Sequence, residues 1–189
     1  MELVRDKNSV YGMLIFALYT FLYSVTVVYL SMNDLTKGID VDLHMTLYYA
    51  GQGLLFVSFL TYGWVSEKIG STVQKRIFAS LMALYLSFLP SFCISTSTII
   101  SEVSFIGIHV CLGLLGGISY HKVSLALKGV EGLPWYVAAA SSASILVQYV
   151  FQIALHIGDW IQIFLWAAAM GLTVLICGTV RSEEHTSEL

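Results

Sequence analysis

The chain has 189 residues, 57% of them hydrophobic and only 11% charged, with a mean hydropathy of +0.80 and a formal net charge of −3. A water-soluble domain carries about 25% charged residues to cover its surface. The composition therefore excludes one and makes lipid the solvent for most of this surface. The small net charge gives no basis for binding nucleic acid.

A helix needs about 20 apolar residues to cross some 30 Å of hydrocarbon, and it satisfies its own backbone hydrogen bonds while doing so. In chain order, hydropathy predicts six such spans, at about 10–32, 45–65, 77–93, 99–123, 136–153 and 161–180. The predicted fold is an all-α membrane protein, a six-helix transmembrane bundle over residues 1–180 with short loops and no linker. The first span is too long for a signal peptide, and no small-residue cleavage site follows it. Pro90 is expected to stop or kink the last turn of the third span. No internal repeat is legible, although three-helix repeats within such bundles are often weak in sequence.

Lysine and arginine set the orientation. Arg5, Lys7, Lys68, Lys75, Arg76, Lys122 and Lys128 fall on one side of this map, and only Lys37 falls on the other. The positive-inside rule places the first group in the cytoplasm. Six spans return the chain to its starting side, so both ends are expected there, in the manner of a multi-pass bacterial inner-membrane protein.

Residues 181–189 break the pattern: Arg181-Ser182-Glu183-Glu184-His185-Thr186-Ser187-Glu188-Leu189 is polar and follows an apolar run abruptly. The string resembles translated sequencing-adapter DNA, which implies a non-native tail after Val180. It holds one Arg and three Glu, a net of −2, so residues 1–180 carry −1. Cys93, Cys111 and Cys177 all lie in apolar stretches without CxxC spacing. They read as small buried hydrophobes.

The most informative segment joins the second and third spans: Gly63-Trp64-Val65-Ser66-Glu67-Lys68-Ile69-Gly70, then Lys75-Arg76. It resembles the loop motif of the major facilitator superfamily, Gly-x-x-x-(Asp/Glu)-(Arg/Lys)-x-Gly followed by basic residues. Gly63, Glu67, Lys68 and Gly70 match in spacing, and Lys75 and Arg76 come about three residues late. The resemblance implies that residues 1–180 are the amino-terminal half of a twelve-helix transporter whose second six-helix half is missing. It implies transport of a small solute by rocking of the halves, with this loop as a cytoplasmic gate. Gly63 would admit another backbone, Glu67 would face a helix N-terminus, and Lys68 would anchor the loop at the interface.

Polar side chains inside spans are costly and therefore informative. In the fourth span Glu102, His109, Gly113, Gly116 and Tyr120 are spaced 7, 4, 3 and 4 apart. They lie within roughly 60° of one another on a helix. This face points into the bundle or into a watery cavity. His109 and Glu102 are candidates for binding or relaying a proton, or, in simpler roles, for a helix-helix hydrogen bond and an interfacial charge. Ser141, Ser144, Gln148 and Gln152 mark one side of the fifth span, Tyr48 and Gln52 the second, and Tyr19, Tyr23 and Thr26 the first. Such neutral groups either bind a sugar, amide or nucleoside or hold helices together. The GxxxG of Gly113–Gly117 and the run Ala138–Ser144 favour close helix contact. No Asp or Arg lies deep in the first or fourth span, and the fifth lacks the Gly/Pro richness of antiporters. In the resembled family those features accompany ion-coupled drug export, so the resemblance implies uptake, facilitation of a neutral solute or sensing rather than proton-driven drug export.

Two other classes compete. An intramembrane enzyme is disfavoured. Gly117-Ile118-Ser119 starts like a rhomboid nucleophile motif, but Tyr120 follows it and no later span supplies a histidine base. HExxH is absent, and His109 and His121 are too far apart around the helix for a metal pair, so no metal or cofactor is expected. The stretch from His121 to Leu127, with Gln148-Tyr149, is loosely similar to regulators that join a facilitator-like bundle to a DNA-binding domain. Any such domain would lie beyond this segment.

Overall fold

The computed structural model describes residues 7–36, 40–66, 68–126, 133–158 and 161–171. Among the described residues every element is helical: α1 Lys7–Thr36, α2 Val41–Ser66, α3 Ser71–Ile94, α4 Thr98–Ala126 and α5 Leu133–Tyr149. A π-helical turn, Val150–Ala154, extends α5, and α6 is the shorter apolar helix Ile161–Gly171. Glu67, Arg5, Lys37, Lys128, Cys177 and the tail 181–189 lie outside the described residues, as does the distal part of the predicted sixth span.

Four of these helices are long and apolar enough to cross a membrane by themselves, at Gly12–Ser31, Thr72–Ile94, Thr98–Ser124 and Val137–Ala154. Among the described residues, four helices rather than the expected six are long and apolar enough to span. Helix α2 has the length, with 26 residues, but His44, Thr46, Tyr48, Gln52 and Thr61 dilute its apolar character. Helix α6 is described over too few residues to span. Even so, α2 turns Phe56, Val57 and Leu60 outward, more than half exposed, as a lipid-facing surface does. Large apolar side chains are likewise exposed on α3, α4, α5 and α6, for example Leu84, Val103, Leu146 and Leu165.

Local chemistry sets several helix ends. Asp40 caps α2, its Oδ1 accepting from the backbone N–H of Asp42 at 2.9 Å and of Leu43 at 3.3 Å, which satisfies donors that a helix start leaves unpaired. Helix α3 begins at Ser71, earlier than hydropathy predicts, so Lys75 and Arg76 lie on its second turn rather than in a loop. The polar first turns of α3 escape a hydropathy reading. Pro90 does not stop α3, which continues to Ile94. Its missing N–H costs one bond to the Leu86 carbonyl. After the π turn, His156 takes a positive φ of 49°, and Ile157 N–H closes on the Phe151 carbonyl at 3.0 Å. That six-residue bond ends α5 as a left-handed cap does.

Helix α4 is the hub, packing on α1, α2 and α3. Its glycines fix the crossing with α2. A Cβ at Gly113 would collide with the Leu55 carbonyl, and one at Gly117 would come within 2.9 Å of the Phe59 carbonyl. One at Gly51 of α2 would come within 3.0 Å of the His109 ring. Residue pairing along the interface rises together in the two chains, from 51 with 109 to 62 with 117, so α2 and α4 run parallel. By the same measure α3 is antiparallel to α4, with Phe88 on Gly107 and Phe92 against Phe105.

The contacts also form a mirrored set. Helix α4 packs on α2, and α1 packs on α5. Helix α4 carries α3, and α1 carries α6 through Phe21 and Trp166, whose rings lie 4.2 Å apart. Helices α1 and α4 meet at the centre, where Gly116 lies against the Tyr19 hydroxyl. Exchanging α1–α3 with α4–α6 maps these pairings onto one another, a correspondence of contacts invisible in the sequence.

The crossing gives a direct test. Gly113→Ala should destabilise the bundle by about 1–3 kcal/mol through overpacking against backbone. Gly53→Ala, where an added Cβ meets nothing within 4 Å, should change stability by less than about 0.5 kcal/mol. Unfolding of both variants in mixed micelles would measure the contrast, and equal losses would dismiss the crossing as the anchor.

Candidate functional site

The polar residues that the sequence singles out separate into three places. The first is the middle of the bundle, where α1, α2 and α4 meet. Tyr23 Oη donates to Gln52 Oε1 at 3.0 Å, and Tyr19 stacks on Tyr23 with centroids 6.3 Å apart. One residue before Gln52, Gly51 lets the His109 ring approach α2. His109 is 1% exposed and lies against Phe105, with ring centroids 4.3 Å apart.

Hydrogen bonding settles the histidine tautomer in its neutral form. Nδ1 lies 2.9 Å from the Phe105 carbonyl, which can only accept, so Nδ1 carries the proton and Nε2 is a bare acceptor. That Nε2 is buried without a partner, and so is Gln52 Nε2. One unmatched acceptor and one unmatched donor therefore sit at the same level of the α2–α4 crossing. Each such buried group costs about 1–3 kcal/mol, and natural structures keep few of them.

The second place is the end of the bundle where α3 turns into α4. Glu102 is half-buried there and lines a cavity of about 500 Å³ together with Ser101, Cys93 and Phe105. The third is the opposite end. There Lys68 Nζ lies 5.3 Å from the centroid of the Trp64 ring, a cation–π contact, and Trp64 is 76% exposed. Gln74 Nε2 donates to the Ile69 carbonyl at 3.0 Å, and Gly70 caps α3 in an extended conformation. Added Cβ atoms at Gly63 and Gly70 would meet nothing within 4 Å, so neither glycine is required by packing among the described residues. Lys75 is half-buried and Arg76 exposed.

The α4 stripe thus divides. His109, Gly113 and Gly116 face into the bundle, Glu102 lines the end cavity, and Tyr120 is 48% exposed beside Phe59. Gln148 and Gln152 are half-buried on α5 and its π turn. Ser144 serves packing: its Oγ lies 2.8 Å from the Ala17 carbonyl of α1 and from its own Ala140 carbonyl. Ser119 gives its hydroxyl to the Leu115 carbonyl at 2.8 Å.

Two polar features escape a sequence reading: the partner of Thr26, which is Tyr85, and the burial of Gln162. Thr26 Oγ1 donates to the Leu22 carbonyl at 2.6 Å, so the contact with Tyr85 Oη, also 2.6 Å, has Tyr85 as donor. Gln162 is fully buried, its Nε2 donating to the Ile157 carbonyl at 2.6 Å while its Oε1 is unmatched. A lone glutamine opening an apolar helix is the only signal the sequence offers for it.

Comparison with known protein families, curated proteins and solved structures finds no match to this chain.

Gln52→Leu tests what the central cluster is for. A residue kept for structure would cost stability when removed. Deleting the amide removes one unmatched N–H group but also the acceptor of the half-buried Tyr23 hydroxyl, so the two effects should offset and leave stability within about 1 kcal/mol of the parent. Tyr23→Phe should show a coupling to it of only about 0.6 kcal/mol. Denaturant titration of the single and double variants reads both quantities, and a loss above about 2 kcal/mol for Gln52→Leu would assign the cluster to packing.

Proposed function

We propose that this bundle is one half of an alternating-access transporter for a small, neutral organic solute, similar in plan to the major facilitator superfamily. The observation that carries this is the mirrored packing of α1–α3 and α4–α6 about the α1–α4 contact. Inverted three-helix repeats of this kind build transporter halves that rock about a central site. A second six-helix half would be the principal partner, with the lipid bilayer around both.

Support for a neutral solute comes from the central cluster. Gln52 offers a donor and His109 an acceptor, the chemistry that a hydroxyl or amide complements. Tyr23 and Tyr19 add an aromatic wall. Nothing charged accompanies them at that level among the described residues, so an ion would find no partner there.

The end bearing Trp64, Lys68 and Gly63 would be the cytoplasmic gate. All five described Lys and Arg, namely Lys7, Lys68, Lys75, Arg76 and Lys122, fall at this end by the alternation of helix direction. That distribution supports a cytoplasmic amino terminus through the positive-inside rule. The open space beside Gly63 and Gly70 leaves room for a helix of the other half.

The complete protein in proteoliposomes, offered radiolabelled hexoses, nucleosides and primary amides, should take up one class. Gln52→Ala should lower that uptake about tenfold or more, the loss of at least one buried hydrogen bond. Gly63→Leu should abolish it at unchanged membrane levels, since folding does not need that glycine. No uptake of any class above protein-free vesicles would refute the transport reading, and normal uptake by Gly63→Leu would refute the gate. Reporter fusions at segments 33–44 and 66–76 should report opposite compartments, and a shared compartment would overturn the orientation.

A further inference from the structure

The cavity where α3 turns into α4 adjoins the central cluster at Phe105, and the proposed transport mechanism does not use it. It has a volume of about 500 Å³ and lies among the start of α2, the end of α3 and the start of α4. That volume suits a small organic ligand. Leu47, Phe92 and Phe105 supply an apolar wall, and Ser101 and Glu102 supply polar groups. Helix α4 orients both: Ser101 is held with its hydroxyl 3.5 Å from the Phe92 carbonyl, and Glu102, the next residue, is half-buried on the cavity rim.

Among the described residues, charge at this end is one-sided. Asp40 and Asp42 open α2 beside Leu43, itself part of the cavity lining. All the described lysines and arginines lie at the opposite end of the bundle. A half-buried carboxylate beside an apolar wall, with no Lys or Arg of the described residues nearby, favours a cation that brings its own apolar body.

We propose that this cavity binds a primary ammonium on an apolar chain, with Glu102 as its counter-ion and the Leu47–Phe92–Phe105 wall holding the chain. The ammonium donates to the Glu102 carboxylate, and the remaining N–H groups reach hydroxyls of the Ser95–Ser101 rim. A soluble amine and an aminophospholipid headgroup share this chemistry. The site stands whether or not the bundle transports anything.

Cys93 lines the cavity and is half-buried, whereas Cys111 is only 3% exposed, so Cys93 is a built-in reporter. The experiment uses the full chain carrying Cys111→Ala and Cys177→Ala, labelled at Cys93 with a fluorescent maleimide. Hexylamine should slow labelling about tenfold at saturation, and 1-hexanol less than about twofold, because only the amine forms a charge-assisted bond. Glu102→Gln should erase that difference. Hexylamine should also raise the unfolding temperature of the parent protein but not of Glu102→Gln, a readout independent of the thiol. Slow labelling in phosphatidylethanolamine nanodiscs without added amine, but not in phosphatidylglycerol ones, would assign the site to a lipid headgroup. Protection that appears only on adding hexylamine would assign it to a soluble amine. Equal protection by amine and alcohol, retention of the difference in Glu102→Gln, or a Cys93 that never labels would each overturn the proposal.

Discussion

Everything in this fold hangs on the close crossing of α2 and α4. Between helices in lipid the hydrophobic effect supplies no driving force, because the surrounding chains are as apolar as leucine. Association then depends on how near two backbones can come. Gly113 and Gly117 bring α4 onto the carbonyls of Leu55 and Phe59, and Gly51 brings α2 onto the ring of His109. That contact makes α4 the hub on which α1 and α3 also settle.

Tight packing there raises the stakes for any polar group caught in it. A glutamine amide and a histidine nitrogen lie buried and unsatisfied at the same level. Helix glue would have used both, as Thr26 and Tyr85 use theirs between α1 and α3. These unmatched groups in a well-packed seam are the observation on which the proposed solute site rests. The same logic separates Ser144, which is fully engaged between α5 and α1, from Gln52, which is engaged at only one of its two ends.

Among the described residues, charge divides along the bundle axis. Their lysines and arginines gather at the end holding Lys68 and Lys122, while Asp40, Asp42 and Glu102 mark the other. This division gives the two ends different chemistry. A cationic end suits anchoring at a charged membrane surface, and an anionic end with an apolar cavity suits an amine.

The sequence alone determined that the chain is helical and lipid-exposed, because a long apolar run leaves the backbone no other way to satisfy itself in hydrocarbon. It placed the helix centres well but began α2 at about 45 rather than at Val41, where Asp40 is the cap. It misplaced the start of α3, since Lys75 and Arg76 read as loop although they are helical, and hydropathy reports solvent rather than hydrogen bonding. It placed the end of α3 within one residue of Ile94, although Pro90 does not stop the helix, whose packing tolerates the lost bond. Only the tertiary structure decided which polar residues meet. Gln52 and His109 lie 57 positions apart in the chain, and their shared level follows from glycine register. The mirrored repeat was hidden for a related reason: the small residues sit on α4 in one pair, at Gly113 and Gly117, but on α5 in the other, at Ala140 and Ser144. Close contact requires a small residue on one side of a seam, and the choice of side is free, so packing can repeat where sequence does not.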